Sequence, residues 1–309
     1  MQRVLSTVVL LGLLLASAAA FAITEHLKLI KSPIYDPRVT KTFSPVCHCA
    51  TDKAKIRFKL RHPDSVTVTI VNSDGKVVDT VASGTNEPKN TLVTFRWDGH
   101  TTTGIAPDGS VYEPQVKLAN DHRTIRMPNK IAVDTVAPKV LSASDDGGVL
   151  IVRGSHGIAI HYVFSEKAHA SVYTNGRRII FGRPSRTTDK VKWNGKAGGK
   201  TLPPGRYVLE VAAVDLAGNE TPPAERKRVV VRIRNIVLGE SAIHVGPRAR
   251  FTVTVRTGAP KYTWKLAGAR GTGTKKVLHL RAPKHGGRYR LVVSEHGHAA
   301  TATVIVGKK

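Results

Sequence analysis

Val66-Thr67-Val68-Thr69-Ile70, Asn72-Ser73-Asp74-Gly75 and Val77-Val78 follow one another as an alternating run, a turn and a return run. Apolar residues at every second position fit a strand with one buried face, and Asp-Gly supplies the positive φ that a tight turn requires. The stretch therefore predicts a β-hairpin. Upstream, Ile56-Arg57-Phe58-Lys59-Leu60 alternates in the same way. Beyond Lys31-Ser32-Pro33 no window of a dozen residues carries a 3.6-residue apolar period, so the chain reads as all-β.

The same grammar returns about 96 residues later. Phe95-Arg96-Trp97-Asp98-Gly99 corresponds to Val191-Lys192-Trp193-Asn194-Gly195, and Pro107-Asp108-Gly109-Ser110-Val111-Tyr112 to Pro203-Pro204-Gly205-Arg206-Tyr207. The hairpin has its counterpart in Val172-Tyr173-Thr174-Asn175-Gly176-Arg177-Arg178-Ile179-Ile180. A repeat of this length is a domain rather than a motif. Asp134-Thr135-Val136-Ala137-Pro138 forms the joint, because proline cannot continue a ladder. From Ile236 onward a third block alternates at Phe251 to Val255, Tyr262 to Leu266, Tyr289 to Val293 and Ala302 to Val306, without the Trp-(Asp/Asn)-Gly signature.

The hairpin with its turn glycine, Trp97-Asp98-Gly99, Gly104 and Pro107-Asp108-Gly109 with Tyr112 resemble the Ig-like domain of flagellar hook-capping proteins. In the second copy Gly198 or Gly199 takes the place of Gly104. The resemblance implies Ig-like sandwiches for the two copies; with the alternation of the third block and an apolar N-terminal run, the expected fold is all-β, three tandem Ig-like or fibronectin-like β-sandwiches after an N-terminal hydrophobic helix. The expected division is 1–23, a signal segment; 24–135 and 136–234, two hook-cap-like sandwiches; and 235–309, a basic third sandwich. Where the family carries an Asp- and Gly-rich loop, this chain has Phe43-Ser44-Pro45-Val46-Cys47-His48-Cys49.

Arg3 followed by the apolar run Val4 to Ala20, with Ala20-Phe21-Ala22 as a small-x-small site, reads as an export signal cleaved after Ala22. The run is also long enough to remain as a signal anchor, through which the chain would meet the membrane. Either way the bulk of the protein is expected outside the cytoplasm, secreted or held at the cell membrane.

Lys and Arg number 48 against 22 Asp and Glu, a net charge of +26. The excess rises along the chain: +4 over 24–135, +9 over 136–234 and +12 over 235–309, where Glu240 and Glu295 are the only acids. Such a field attracts polyanions. Export argues against nucleic acid and favours an anionic envelope polymer, lipid or another envelope protein. Solvated surface charge is the plain alternative.

Chemistry-bearing clusters are few. Cys47 and Cys49, the only cysteines, are candidates for a disulfide within one loop, since an exported protein meets oxidants. Thiol exchange, soft-metal capture with His48 and pairing between molecules are the alternatives. His296 and His298 fit one strand face, Asp134 with Asp145-Asp146 a linker cation, and Trp97, Trp193 and Trp264 either core packing or a sugar-stacking platform. Ser155-His156 lacks a nucleophile elbow, and no phosphate loop or zinc-protease motif occurs. No catalytic, cofactor or metal residue is expected. The sequence reads as a non-catalytic spacer or adhesion module, with a carbohydrate-binding accessory or a Cys-x-Cys redox or metal protein as alternatives.

Overall fold

The computed structural model describes residues 11–21, 32–152 and 157–307. Residues 11–21 are helical, and the rest is almost wholly strand and turn, with a single 3-10 turn at Pro223–Glu225 among the described residues. Met1 to Arg3 and the expected cleavage after Ala22 lie outside the described residues. Among the described residues no helix is long and apolar enough to cross a membrane. The chain forms two compact units, Met1–Thr135 and Val136–Lys309. The first holds one hydrophobic core; the second holds two, so the fold is three tandem sandwiches.

In the first sandwich the strands Ile34–Val39, Ala54–Leu60 and Val93–Trp97 make one sheet. The opposing sheet orders Thr42–Phe43, Ile131–Val133, Val111–Leu118, Asp64–Val71 and Val77–Glu87. Alternation decides which residues face inward: Ala54, Ile56, Phe58 and Leu60 from one sheet meet Val66, Val68 and Ile70 from the other, all essentially without solvent exposure. Burial of each large side chain among them contributes about 1.5 to 3 kcal/mol, which lets a sparse aromatic content suffice. At the predicted hairpin Gly75 adopts φ +76°, and Asn72 Oδ1 accepts the amides of Asp74 and Lys76 at 3.1 and 2.9 Å.

The second sandwich uses the same plan with one change of continuity. Its hairpin consists of two 17-residue strands, Ile158–Thr174 and Arg177–Trp193. Residues from Ile160 to Phe164 pair with Val140–Asp145, whereas His169 to Tyr173 pair with Gly205–Val214. A register shift separates the two halves. One long strand thus does what two strands, Ala54–Leu60 and Asp64–Val71, do in the first sandwich, where Pro63 leaves the backbone without a donor at the corner.

The third sandwich sets the sheet Ile236–Leu238, Arg250–Thr257 and Val277–Arg281 against Ala242–Val245, His298–Val306, Gly287–Glu295, Tyr262–Leu266 and Ala269–Gly273. All three sandwiches close alike. A short early strand runs parallel to the last one: Thr42–Phe43 beside Ile131–Val133, Val149–Ile151 beside Arg232 to Arg234, and Ala242–Val245 beside Thr303 to Val306. In the first and third sandwiches the opening segment therefore crosses from one sheet to the other, which locks the two layers together; in the second its two strands lie at opposite ends of one continuous sheet.

Candidate functional site

The repeated signature is a turn that seals one end of each core. Trp97 and Trp193 are each 1% exposed, and their indole Nε1 atoms donate to the carbonyl oxygens of His100 and Lys196 at 2.8 and 2.9 Å. Asp98 Oδ1 accepts the His100 amide, as Asn194 Oδ1 accepts that of Lys196. Tyr112 and Tyr207 meet the two indoles edge-on, with ring centroids 4.9 and 6.2 Å apart. Trp264 lies across Gly271 of the neighbouring strand and packs against the third core. Trp97 and Trp193 therefore form no sugar-stacking platform, their faces being spent on packing, while Trp264 is half-buried.

Partial burial pushes the Asp98 carboxyl up, but the His100 amide and ring and Asp98's own amide together hold it below the usual carboxylate range. The His100 Nδ1 atom stands 3.0 Å from Asp98 Oδ1.

Cys47 and Cys49 are joined in a disulfide with Cα atoms 5.2 Å apart, both half-buried, and His48 between them takes φ +49°. That conformation turns the backbone sharply enough for neighbouring side chains to meet. Cys49 Sγ is 3.1 Å from Thr51 Oγ1.

His296 and His298 do not share a strand face. Glu295 pairs with His298 across a two-residue turn, His296-Gly297, whose φ angles are +41° and +81°. Alternation along a strand fails there because the chain reverses between the two histidines. Asp146 is occupied by His161, Oδ1 to Nε2 2.6 Å, and Ser155-His156 lies outside the described residues.

Charge is where the sandwiches differ most. In the first two, basic side chains find carboxylates: Arg38 and Lys59 with Asp36, Arg126 with Glu113, Arg226 with Glu210 and Glu220, Arg228 with Glu210. In the third, Glu295 Oε1 stands 3.8 Å from His296 Nδ1. Glu295, one of its two acids, is buried and accepts a hydrogen bond from Thr257 Oγ1.

Strand register then sets cations side by side. Arg250 faces Arg281 on the three-stranded sheet, and Lys265 faces Arg270 on the other. The basic count is visible in the sequence; the pairing is not, since it depends on which strands become neighbours. Arg256 and Lys276 line a cavity of about 330 Å³ together with Leu150, Ile158 and Asp146.

No curated protein matches the chain. Solved structures with which it aligns include titin domains I67-I69, at 10% identity over 91% of this chain and 100% of that one, with a TM-score of 0.29. A Bacteroides ovatus mixed-linkage glucan utilization locus protein, SGBP-B, aligns at 12% identity over 88% of this chain and 71% of that one, TM-score 0.29. A 1.5-MDa bacterial ice-binding adhesin aligns at 13% identity over 90% and 99%, TM-score 0.26. Residues 44–122, which hold the hairpin, Trp97-Asp98-Gly99 and Tyr112, match the FlgD Ig-like domain.

Proposed function

We propose that this chain is a non-catalytic, extracytoplasmic module. Its first two sandwiches act as spacers, and its third binds an anionic component of the cell envelope. The observation that carries this reading is the third sandwich's net charge, +12 over residues 235–309, where Glu240 and Glu295 are the only acids. Uncompensated charge of one sign lowers the stability of a compact domain, so its presence in one sandwich of three favours a partner that supplies the missing anions. The apolar N-terminal run supports export, with the chain either released or held at the membrane.

The test is binding of the full chain to purified cell envelope from low to high salt. It is compared with a variant in which Arg250, Arg256, Lys275, Lys276, Arg281 and Lys284 are glutamine, and with one carrying six such changes in the first sandwich. The first variant should lose most of its salt-sensitive binding and the second little. Equal binding by all three proteins removes the third sandwich from the account.

A further inference from the structure

We propose that the solvent face of the sheet formed by Ile236–Leu238, Arg250–Thr257 and Val277–Arg281 binds a linear phosphate-bearing polymer laid along the central strand. This rests on the reading that the third sandwich is the binding module, and adds which face binds and what chemistry it takes.

Alternate side chains of a strand share a face at intervals of roughly 6.8 Å, and neighbouring strands lie about 4.8 Å apart. The exposed positions of the central strand are Arg250, Thr252, Thr254 and Arg256. Register sets Arg250 opposite Arg281 and Thr252 opposite His279. The face thus has a pair of guanidinium groups at one end and Arg256 at the other, roughly 20 Å away, with hydroxyl donors between. Lys276 and Arg256 both line the adjoining cavity, as does Asp146, which is bound to His161.

Directly opposed like charges destabilise a sheet. The opposed pair Arg38 and Arg57 has an acid beside it, Asp36, which is ion-paired with Arg38. Among the described residues no ion pair joins Arg250 or Arg281 to a carboxylate. Arg281 is also held in place, its Nε donating to the Arg248 carbonyl oxygen at 3.0 Å, which leaves both Nη groups for a ligand.

A guanidinium fork matches the oxygens of phosphate, and a tetrahedral phosphodiester presents two diverging anionic oxygens, one for each arginine of the pair. A polymer that carries one such group per backbone repeat suits a row of donors along one strand. On the opposite sheet Lys265, Arg270, Arg288 and Arg290 are spread over three strands, with Arg288 and Arg290 successive on one face of their strand and Val292 and Ile305 beside them.

The experiment measures binding of the full chain to inorganic polyphosphate over a salt series. It uses the variant Arg250→Gln/Arg256→Gln/Arg281→Gln and a charge-matched control, Lys265→Gln/Arg270→Gln/Arg290→Gln. The first should weaken binding at least about tenfold and flatten the dependence of log K on log salt by about 2, at roughly 0.7 to 0.9 for each phosphate no longer neutralised. The control should stay within about twofold at moderate salt, and its slope should be unchanged. Removing opposed charges relieves repulsion, so both variants should keep their circular dichroism spectra and melting temperatures.

Equal losses in the two variants overturn the assignment to this face while leaving the third sandwich as the binding module. Envelope binding without polyphosphate binding overturns the phosphate chemistry and leaves that module reading intact. Poly-glutamate bound as tightly as polyphosphate overturns phosphate selectivity. Phosphatidylglycerol vesicles bound in place of polyphosphate overturn the polymer and assign the face to membrane.

Discussion

Trp97 Nε1 donates to the carbonyl oxygen of His100, three residues on, at 2.8 Å, and Trp193 repeats the bond to Lys196 at 2.9 Å. A fully buried indole has one polar atom, and the turn that follows it supplies the one acceptor that atom needs. This bond joins the core to the turn in both copies.

Substituting Trp97 by phenylalanine should therefore cost about 1 to 3 kcal/mol, and by alanine about 3 to 5. Hydrogen exchange should locate the loss in residues 34–133 and leave the second sandwich as protected as before. Trp193→Ala should do the converse. Loss of protection in both sandwiches from either change would mean that the cores do not fold separately.

Gly99 and Gly75 both have positive φ, +86° and +76°, but different surroundings. A Cβ on Gly99 would lie 2.7 Å from Pro45 Cβ, while one on Gly75 meets nothing within 4 Å. Gly75→Ala should cost only the conformational strain, about 1 to 2 kcal/mol, and Gly99→Ala about 1 to 3 more for overpacking. Urea denaturation of the two variants measures the difference. Equal midpoints would mean that the Pro45 loop yields freely.

Much of this is legible in the sequence because the decisive residues are local. Trp97-Asp98-Gly99 and Asn72 to Gly75 specify their turns within a few residues, and the alternation at Ile56 to Leu60 specifies a face. The parallel pairing of Thr42–Phe43 with Ile131–Val133 leaves no trace, since two residues carry no period and their partner lies far along the chain. The double role of Ile158–Thr174 is hidden too: a strand that crosses between sheets keeps its alternation and changes only its neighbours. Asp64 gives no sign that it is buried accepting the amides of Asn120 and Asp121. The Arg250 and Arg281 pair likewise depends on register rather than composition.

Asp98 gives the first sandwich an acid dependence with a defined sign. Its folded pKa is lowered, so its contribution to stability is complete above the unfolded value near 3.8 and is lost as pH falls through the folded value. Asp98→Asn, the residue the second copy uses at Asn194, keeps an acceptor for the His100 amide. The variant should be less stable than the wild type near neutral pH and approach it below about pH 4. Parallel melting curves at every pH would show that the carboxylate charge contributes nothing.

The Cys47–Cys49 bridge closes a loop too short to restrict the unfolded chain strongly. Chain-entropy arguments give about 1.5 kcal/mol for a ring of this size. Cys47→Ser/Cys49→Ser should lower stability by no more than that, and reductant should shift the wild type by the same amount and the variant by none. A loss of several kcal/mol would make the bridge a main support of the first sandwich rather than a local brace of the loop before Ala54–Leu60.

Lys265 and Arg270 stand opposite each other on the outer hairpin of the larger sheet in the third sandwich, with no carboxylate of the described residues within 4 Å. Lys265→Glu replaces repulsion by attraction across the same rung and should raise stability by about 0.2 to 1 kcal/mol. The gain should shrink with added salt, because both side chains are exposed and screening acts on them fully. Lys265→Gln, which removes the charge without reversing it, should recover roughly half of the gain. If the glutamate variant is instead less stable at low salt, the outward packing of the Lys265 stem matters more than its charge. The charge contrast between the third sandwich and the first two would then have to be judged by binding alone, without a stability cost to explain.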